Sequence, residues 1–68
     1  MGKYNELWNY IKENCNEKLV LSFDDIQNIL SFPIDHAFLN AKKELVDYGY
    51  EVGKISMKNK TVEFNKKI

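Results

Sequence analysis

Sixty-eight residues, 44% of them hydrophobic and 13% aromatic, with three Gly and one Pro, suffice for one core and leave no room for a second domain. Ten Lys balance ten acidic side chains, which removes a strong uniform field as a source of nucleic-acid affinity. No apolar run approaches the ~20 residues that span a bilayer, and a lone Cys15 excludes an internal disulfide and a Cys-rich zinc cluster.

These bounds predict a single α+β domain over residues 1–68, cytoplasmic, without membrane association, metal or cofactor. The opening Met1-Gly2 does not extend to a myristoylation signal, because Glu6 stands where that motif needs Ser or Thr.

Along the chain, Tyr4, Leu7, Trp8, Ile11 and Cys15 recur at helical spacing, with Asn5, Glu6, Asn9, Lys12 and Glu13 on the other faces. This predicts a first helix over 3–15. After the polar break Asn16-Glu17-Lys18, the run Leu19-Val20-Leu21 is too short for a helix and suits a brief strand, 19–21. Ser22 then reads as an N-cap. Its hydroxyl can accept from the Asp25 N–H, Asp24 and Asp25 sit on the positive helix end, and Leu21 can staple onto Ile26.

The second helix runs over 23–30 and buries Phe23, Ile26, Ile29 and Leu30; Ser31-Phe32-Pro33 ends it, since Pro disfavours helical geometry in the residue before it. Asp35 caps a third helix over 36–48, with Ile34 and Leu39 in the staple positions, Phe38, Ala41 and Leu45 inward, and Gly49 placed for a left-handed stop. Its opposite face presents His36, Asn40, Lys43 and Asp47.

The remainder, 50–65, reads as a hairpin. Tyr50 and Val52 share one parity and Ile55 and Met57 the other, so Gly53 between them reads as a bulge that switches the face. A two-residue turn at Asn59-Lys60 would set Met57 opposite Val62 and Ile55 opposite Phe64; a turn at Lys58-Asn59 would pair Met57 with Lys60 and is disfavoured. The expected order is helix, strand, helix, helix, β-hairpin, which looks like a winged helix.

The stretch Phe32-Pro33-Ile34-Asp35-His36-Ala37-Phe38-Leu39-Asn40-Ala41-Lys42-Lys43-Glu44-Leu45, continuing through Tyr48-Gly49-Tyr50-Glu51-Val52-Gly53-Lys54-Ile55-Ser56-Met57 to Thr61-Val62-Glu63-Phe64, resembles a family of short uncharacterised proteins of Gram-positive bacteria. Upstream, Leu21-Ser22-Phe23-Asp24-Asp25-Ile26 is similar to the opening of a broader bacterial domain of unknown function. The resemblance implies a free-standing bacterial domain and brings no activity, ligand or catalytic residue with it.

Catalysis is not expected. Cys15 lies on the apolar stripe of the first helix, where a free Cys usually fills core, and His36 on a first helical turn is most simply a solvated side chain. Asp24 and Asp25 are neighbours that do not face each other on a helix, and dipole compensation accounts for both.

Charge is distributed unevenly. Residues 1–34 hold three Lys against five acids, residues 35–68 seven Lys against five, and within 52–68 Lys54, Lys58, Lys60, Lys66 and Lys67 face Glu63 alone. Two readings follow. In the first, the third helix reads duplex DNA through His36, Asn40 and Lys43, while Lys42, Lys58, Asn59 and Lys60 contact phosphate. Glu44 and Asp47 on the same helix oppose this reading by repelling phosphate. In the second, the domain binds a protein partner or itself through Tyr10, Phe32, Tyr48 and Tyr50, aromatics that so small a core does not easily absorb, and net neutrality suits it better.

Overall fold

A computed structural model describes residues 3–67. Three helices, α1 (Asn5–Asn14), α2 (Phe23–Leu30) and α3 (His36–Val46), combine with three strands, β1 (Lys18–Ser22), β2 (Tyr50–Ser56) and β3 (Thr61–Lys66). The lone strand and the hairpin expected from sequence form one antiparallel sheet in the order β1-β3-β2. The fold is therefore a small α+β one, with the helices over one face of the sheet.

Two local devices place α2. Ser22 ends β1 in extended geometry and at once caps the helix: the Asp25 N–H donates to its Oγ at 3.0 Å, and its own N–H donates to Asp25 Oδ2 at 3.3 Å. Leu21 and Ile26, flanking this box, are both buried. At the other end the helix stops at Leu30, where the Ser31-Phe32-Pro33 segment was expected to end it. Ser31 takes the left-handed conformation, φ 71°, and its N–H donates to the Gln27 carbonyl at 2.7 Å.

Helices α1 and α3 are shorter than the spacing suggested. Cys15 is already extended, with φ −95° and ψ 110°, so its place in the core comes from the chain leaving the helix rather than continuing it. Beyond Val46 the amides of Asp47, Tyr48 and Gly49 donate three residues back, to Glu44, Leu45 and Val46, tightening the last turn until Gly49 reverses the chain at φ +91°.

The hairpin corrects the sequence reading. Ile55 pairs with Val62 and Ser56 with Thr61, so the turn holds four residues, Met57–Lys60, and Met57 lies in the loop at 73% exposure instead of opposite Val62. Two interactions set this longer turn: Lys60 takes φ 56°, and the Asn59 N–H donates to Ser56 Oγ at 3.1 Å. The bulge falls where expected. Val52 pairs with Phe64 and Ile55 with Val62, so Gly53 and Lys54 together oppose Glu63, and both apolar pairs face the helices. A Cβ on Gly53 would collide with the Asn65 Nδ2.

Between sheet and helices, Trp8, Phe38, Phe64, Leu7, Ile11, Ile26, Leu45 and Val62 lose essentially all contact with solvent. An aromatic group, Tyr4, Trp8, Phe32 and Phe38, joins α1 to α3 with ring centroids 5.8–6.1 Å apart. No helix among the described residues is long and apolar enough to cross a membrane.

Candidate functional site

Helix α3 is held from its first residue. Asp35 accepts the Ala37 N–H at 3.0 Å and the Tyr4 hydroxyl at 2.9 Å, both on Oδ1, while Lys3 Nζ lies 3.6 Å from Oδ2 and over the rings of Tyr4 and Phe32. The Tyr4 hydrogen bond holds the Asp35 carboxyl below its usual range, opposed in part by burial and reinforced by Lys3 and the Ala37 amide. Burial and then the Asp35 carboxylate push the Tyr4 phenol up to about 12.

With Phe38 and Leu45 buried, the orientation of α3 leaves His36, Asn40, Lys42 and Lys43 exposed. His36, Asn40 and Lys43 fall on one row of the helix. Glu44 does not share that row: its carboxylate accepts the indole N–H of buried Trp8 at 3.1 Å, so it is turned toward α1. Leu39 and Val46, 46% and 39% exposed, lie on the outer side with the polar row. Leu39, expected to staple onto Ile34, lines the same groove as Ile34 and is 46% exposed.

The hairpin tip lies beside this helix. The Phe23 N–H donates to the Lys60 carbonyl at 2.8 Å, which fixes the turn against the start of α2 and leaves Lys58, Asn59 and Lys60 exposed. Between α3 and the hairpin runs a groove of about 260 Å³, lined by Phe23, Ile34, Asp35, His36, Phe38, Leu39, Ile55, Met57 and Val62. Seven of these nine residues are apolar. The first turn of α3 and the hairpin thus border one concave surface, with His36 on its wall and Lys58 next to the lining residue Met57.

The aromatics proposed as partner anchors are not gathered in this way. Tyr50 is 8% exposed and donates its hydroxyl to the Lys12 carbonyl at 3.3 Å, which removes it as a surface anchor; so small a core absorbs it because its ring closes the gap between β2 and α1. Phe32 packs edge-on against Tyr4, Tyr48 is half-buried, and Tyr10 is 37% exposed. The exposed apolar side chains that sequence reasoning missed are Val20 on β1, Leu39 and Val46 on α3, and Met57 in the turn. Leu39 and Val46 carried a signal, because they share the outer face with His36, Asn40 and Lys43; Met57 carried none, since its exposure depends on the turn length.

Cys15 is 5% exposed in the core, and burial pushes its thiol up, partly offset by Lys66. Among the described residues there is no group of three or more His, Cys, Asp or Glu side chains that could hold a metal ion. What the fold defines is a small α+β domain with a groove between a helix and a hairpin tip. Comparison of the chain with protein-family models, with curated proteins and with solved structures yields no match to any of them.

Proposed function

We propose that the domain is a winged-helix protein that binds duplex DNA, with α3 entering the major groove and the β2–β3 turn lying on the phosphate backbone. The observation that supports the reading is the groove lined by His36 from the first turn of α3 and by Met57 from the hairpin turn, with exposed Asn40 and Lys43 further along the helix and exposed Lys58, Asn59 and Lys60 following Met57 in the turn. The antiparallel order β1-β3-β2 behind two consecutive helices is the topology that a winged-helix reading requires. Asn40 then has the donor and acceptor to read adenine, Lys43 the charge to approach guanine, and Lys42, Lys58, Asn59 and Lys60 contact phosphate. Of the two acids that oppose phosphate here, Glu44 is turned toward Trp8, while Asp47 stays exposed one turn beyond Lys43 and counts against the reading.

The same proposal includes no catalytic step and no cofactor. It places the protein in the bacterial cytoplasm, where a lone buried thiol stays reduced.

The test is binding of random-sequence duplex DNA by fluorescence anisotropy at low ionic strength. The expected dissociation constant is on the order of 10⁻⁵ M or tighter, and Lys58→Glu combined with Lys60→Glu should weaken it at least tenfold. Absence of binding at low salt, or binding indifferent to the double change, sinks this mode.

A further inference from the structure

We propose that the outer edge of β2 is a self-association surface, on which a second copy of this chain pairs antiparallel about a two-fold axis through Val52. In the order β1-β3-β2 the central strand is β3, and β1 and β2 each have one side without a neighbouring strand among the described residues. Such an edge presents a row of backbone N–H and C=O groups to any strand that fits them.

The alternation of the ladder identifies those groups. The Lys67 N–H donates to the Gly49 carbonyl at 2.9 Å, so Gly49 and Glu51 turn toward β3 while Tyr50 and Val52 turn away from it. On β3, the Lys66 N–H donates to the Glu17 carbonyl at 2.8 Å, so Lys66, Phe64 and Val62 face β1 and Thr61 faces β2. Ser56, opposite Thr61, therefore turns inward and Ile55 outward. The outer edge of β2 thus offers the backbone of Tyr50, Val52 and Ile55. Tyr50 takes part through its backbone alone, since its side chain is buried.

The edge of β1 is closed sooner. By the same alternation Ser22 turns outward, but its N–H is donated to Asp25 Oδ2 and α2 begins at the next residue. The capping box leaves only Lys18 and Val20 on that side.

The bulge makes β2 self-complementary. Gly53 and Lys54 share one position against Glu63, so Val52 lies midway between Tyr50 and Ile55 along the edge. A two-fold axis through Val52 sets Val52 against its own equivalent and Tyr50 against the partner's Ile55, outward groups meeting outward groups in both cases. On the sheet face away from the helices, the same register sets Glu51 opposite the partner's Lys54. Both side chains are exposed and neither joins an ion pair among the described residues; Glu63, the acid opposite Lys54 within the sheet, is already paired with Lys18 at 3.6 Å. Moving the axis by one position would put Glu51 on Glu51 or Lys54 on Lys54. Charges on an edge ordinarily keep strands apart, but here their signs and spacing match the register in which the backbone groups also meet. None of these residues is assigned to DNA, so the pairing stands or falls apart from the DNA-binding reading.

Sedimentation equilibrium of the full chain at low ionic strength should show a monomer–dimer equilibrium with a dissociation constant on the order of 10⁻⁴ M, as suits a small, transient interface. Amide hydrogen exchange followed by NMR locates the contact: protection of Tyr50, Val52 and Ile55 should rise with protein concentration, and that of Val20 should not. Glu51→Lys and Lys54→Glu, each alone, should weaken the dimer about tenfold, because like charges then face each other on both sides of the axis. Mixed in equal amounts, the two variants should associate as tightly as the parent chain, since each lysine of one copy meets a glutamate of the other. Both changes fall on exposed side chains and leave the core untouched. A mass that stays monomeric up to about 1 mM, concentration-dependent protection on β1 in place of β2, or a mixture that associates no more tightly than its separate components would each overturn the proposal.

Discussion

Asp35 shows how much one exposed side chain organises. It caps α3, accepts the hydroxyl of Tyr4 from α1, and pairs with Lys3, so the start of the outer helix is anchored to the N-terminal one. The titrations of the pair carry opposite signs. A lowered carboxyl contributes stability that is present above the unfolded value near ~4 and is lost as pH falls through its folded value. A phenol raised to about 12 contributes stability that is whole below the unfolded value near ~10 and is lost as pH rises toward 12. Tyr4→Phe should therefore flatten both flanks of the stability profile measured by chemical denaturation, the alkaline one chiefly because the buried phenol is gone, and an unchanged acid flank would show that the bond contributes nothing.

Glu44 makes a second test at this scale. Its carboxylate is the acceptor for the indole N–H of a fully buried Trp8. Glu44→Ala leaves that donor unpaired and should cost about 1–3 kcal/mol, whereas Glu44→Gln keeps an acceptor and should cost less. Equal losses in thermal denaturation of the two variants would mean that the Trp8 bond is not what Glu44 supplies.

Elements were legible where a local signal had one structural solution. Ser22 with Asp25 admits only a capping box ahead of an apolar run, and Asp35 before His36-Ala37-Phe38 admits only an N-cap, so the starts of α2 and α3 followed from the residues. The hairpin register did not follow. Moving the pairing by one residue would turn every side chain to the other face, but Met57 opposite Val62 and Ile55 opposite Val62 differ by two residues and preserve every face. The apolar pattern is blind to that choice, and the turn decides it through Ser56 Oγ and a left-handed Lys60. The candidate site inherited the error, because a tight turn hides Met57 and a four-residue turn exposes it.

Turn geometry also separates folding from binding. A lysine at φ 56° is held in a conformation that costs an L-residue roughly 1–2 kcal/mol, part of which glycine recovers against its greater freedom in the unfolded chain. Lys60→Gly should raise the thermal midpoint by a few degrees and at the same time weaken DNA binding through the loss of one phosphate contact. A variant that is both less stable and unchanged in binding would contradict both roles given to Lys60.

At the scale of the whole molecule, a zero net charge constrains how DNA can be bound. Within dimensions of 27 × 27 × 19 Å the domain has no global field to draw a polyanion, so affinity must come from the few lysines on the α3 and hairpin surface. That makes the salt dependence a count. Lys42, Lys58 and Lys60 on phosphate predict a slope of log K against log salt of about −3, and Lys58→Glu with Lys60→Glu should reduce it to about −1. Asn40→Ala should leave the slope unchanged while lowering discrimination at an adenine by about 1–3 kcal/mol, since a neutral side chain on a base edge releases no counterions. A slope that the lysine changes leave intact would place the phosphate contacts on the opposite face, and would detach α3 from the function proposed for it.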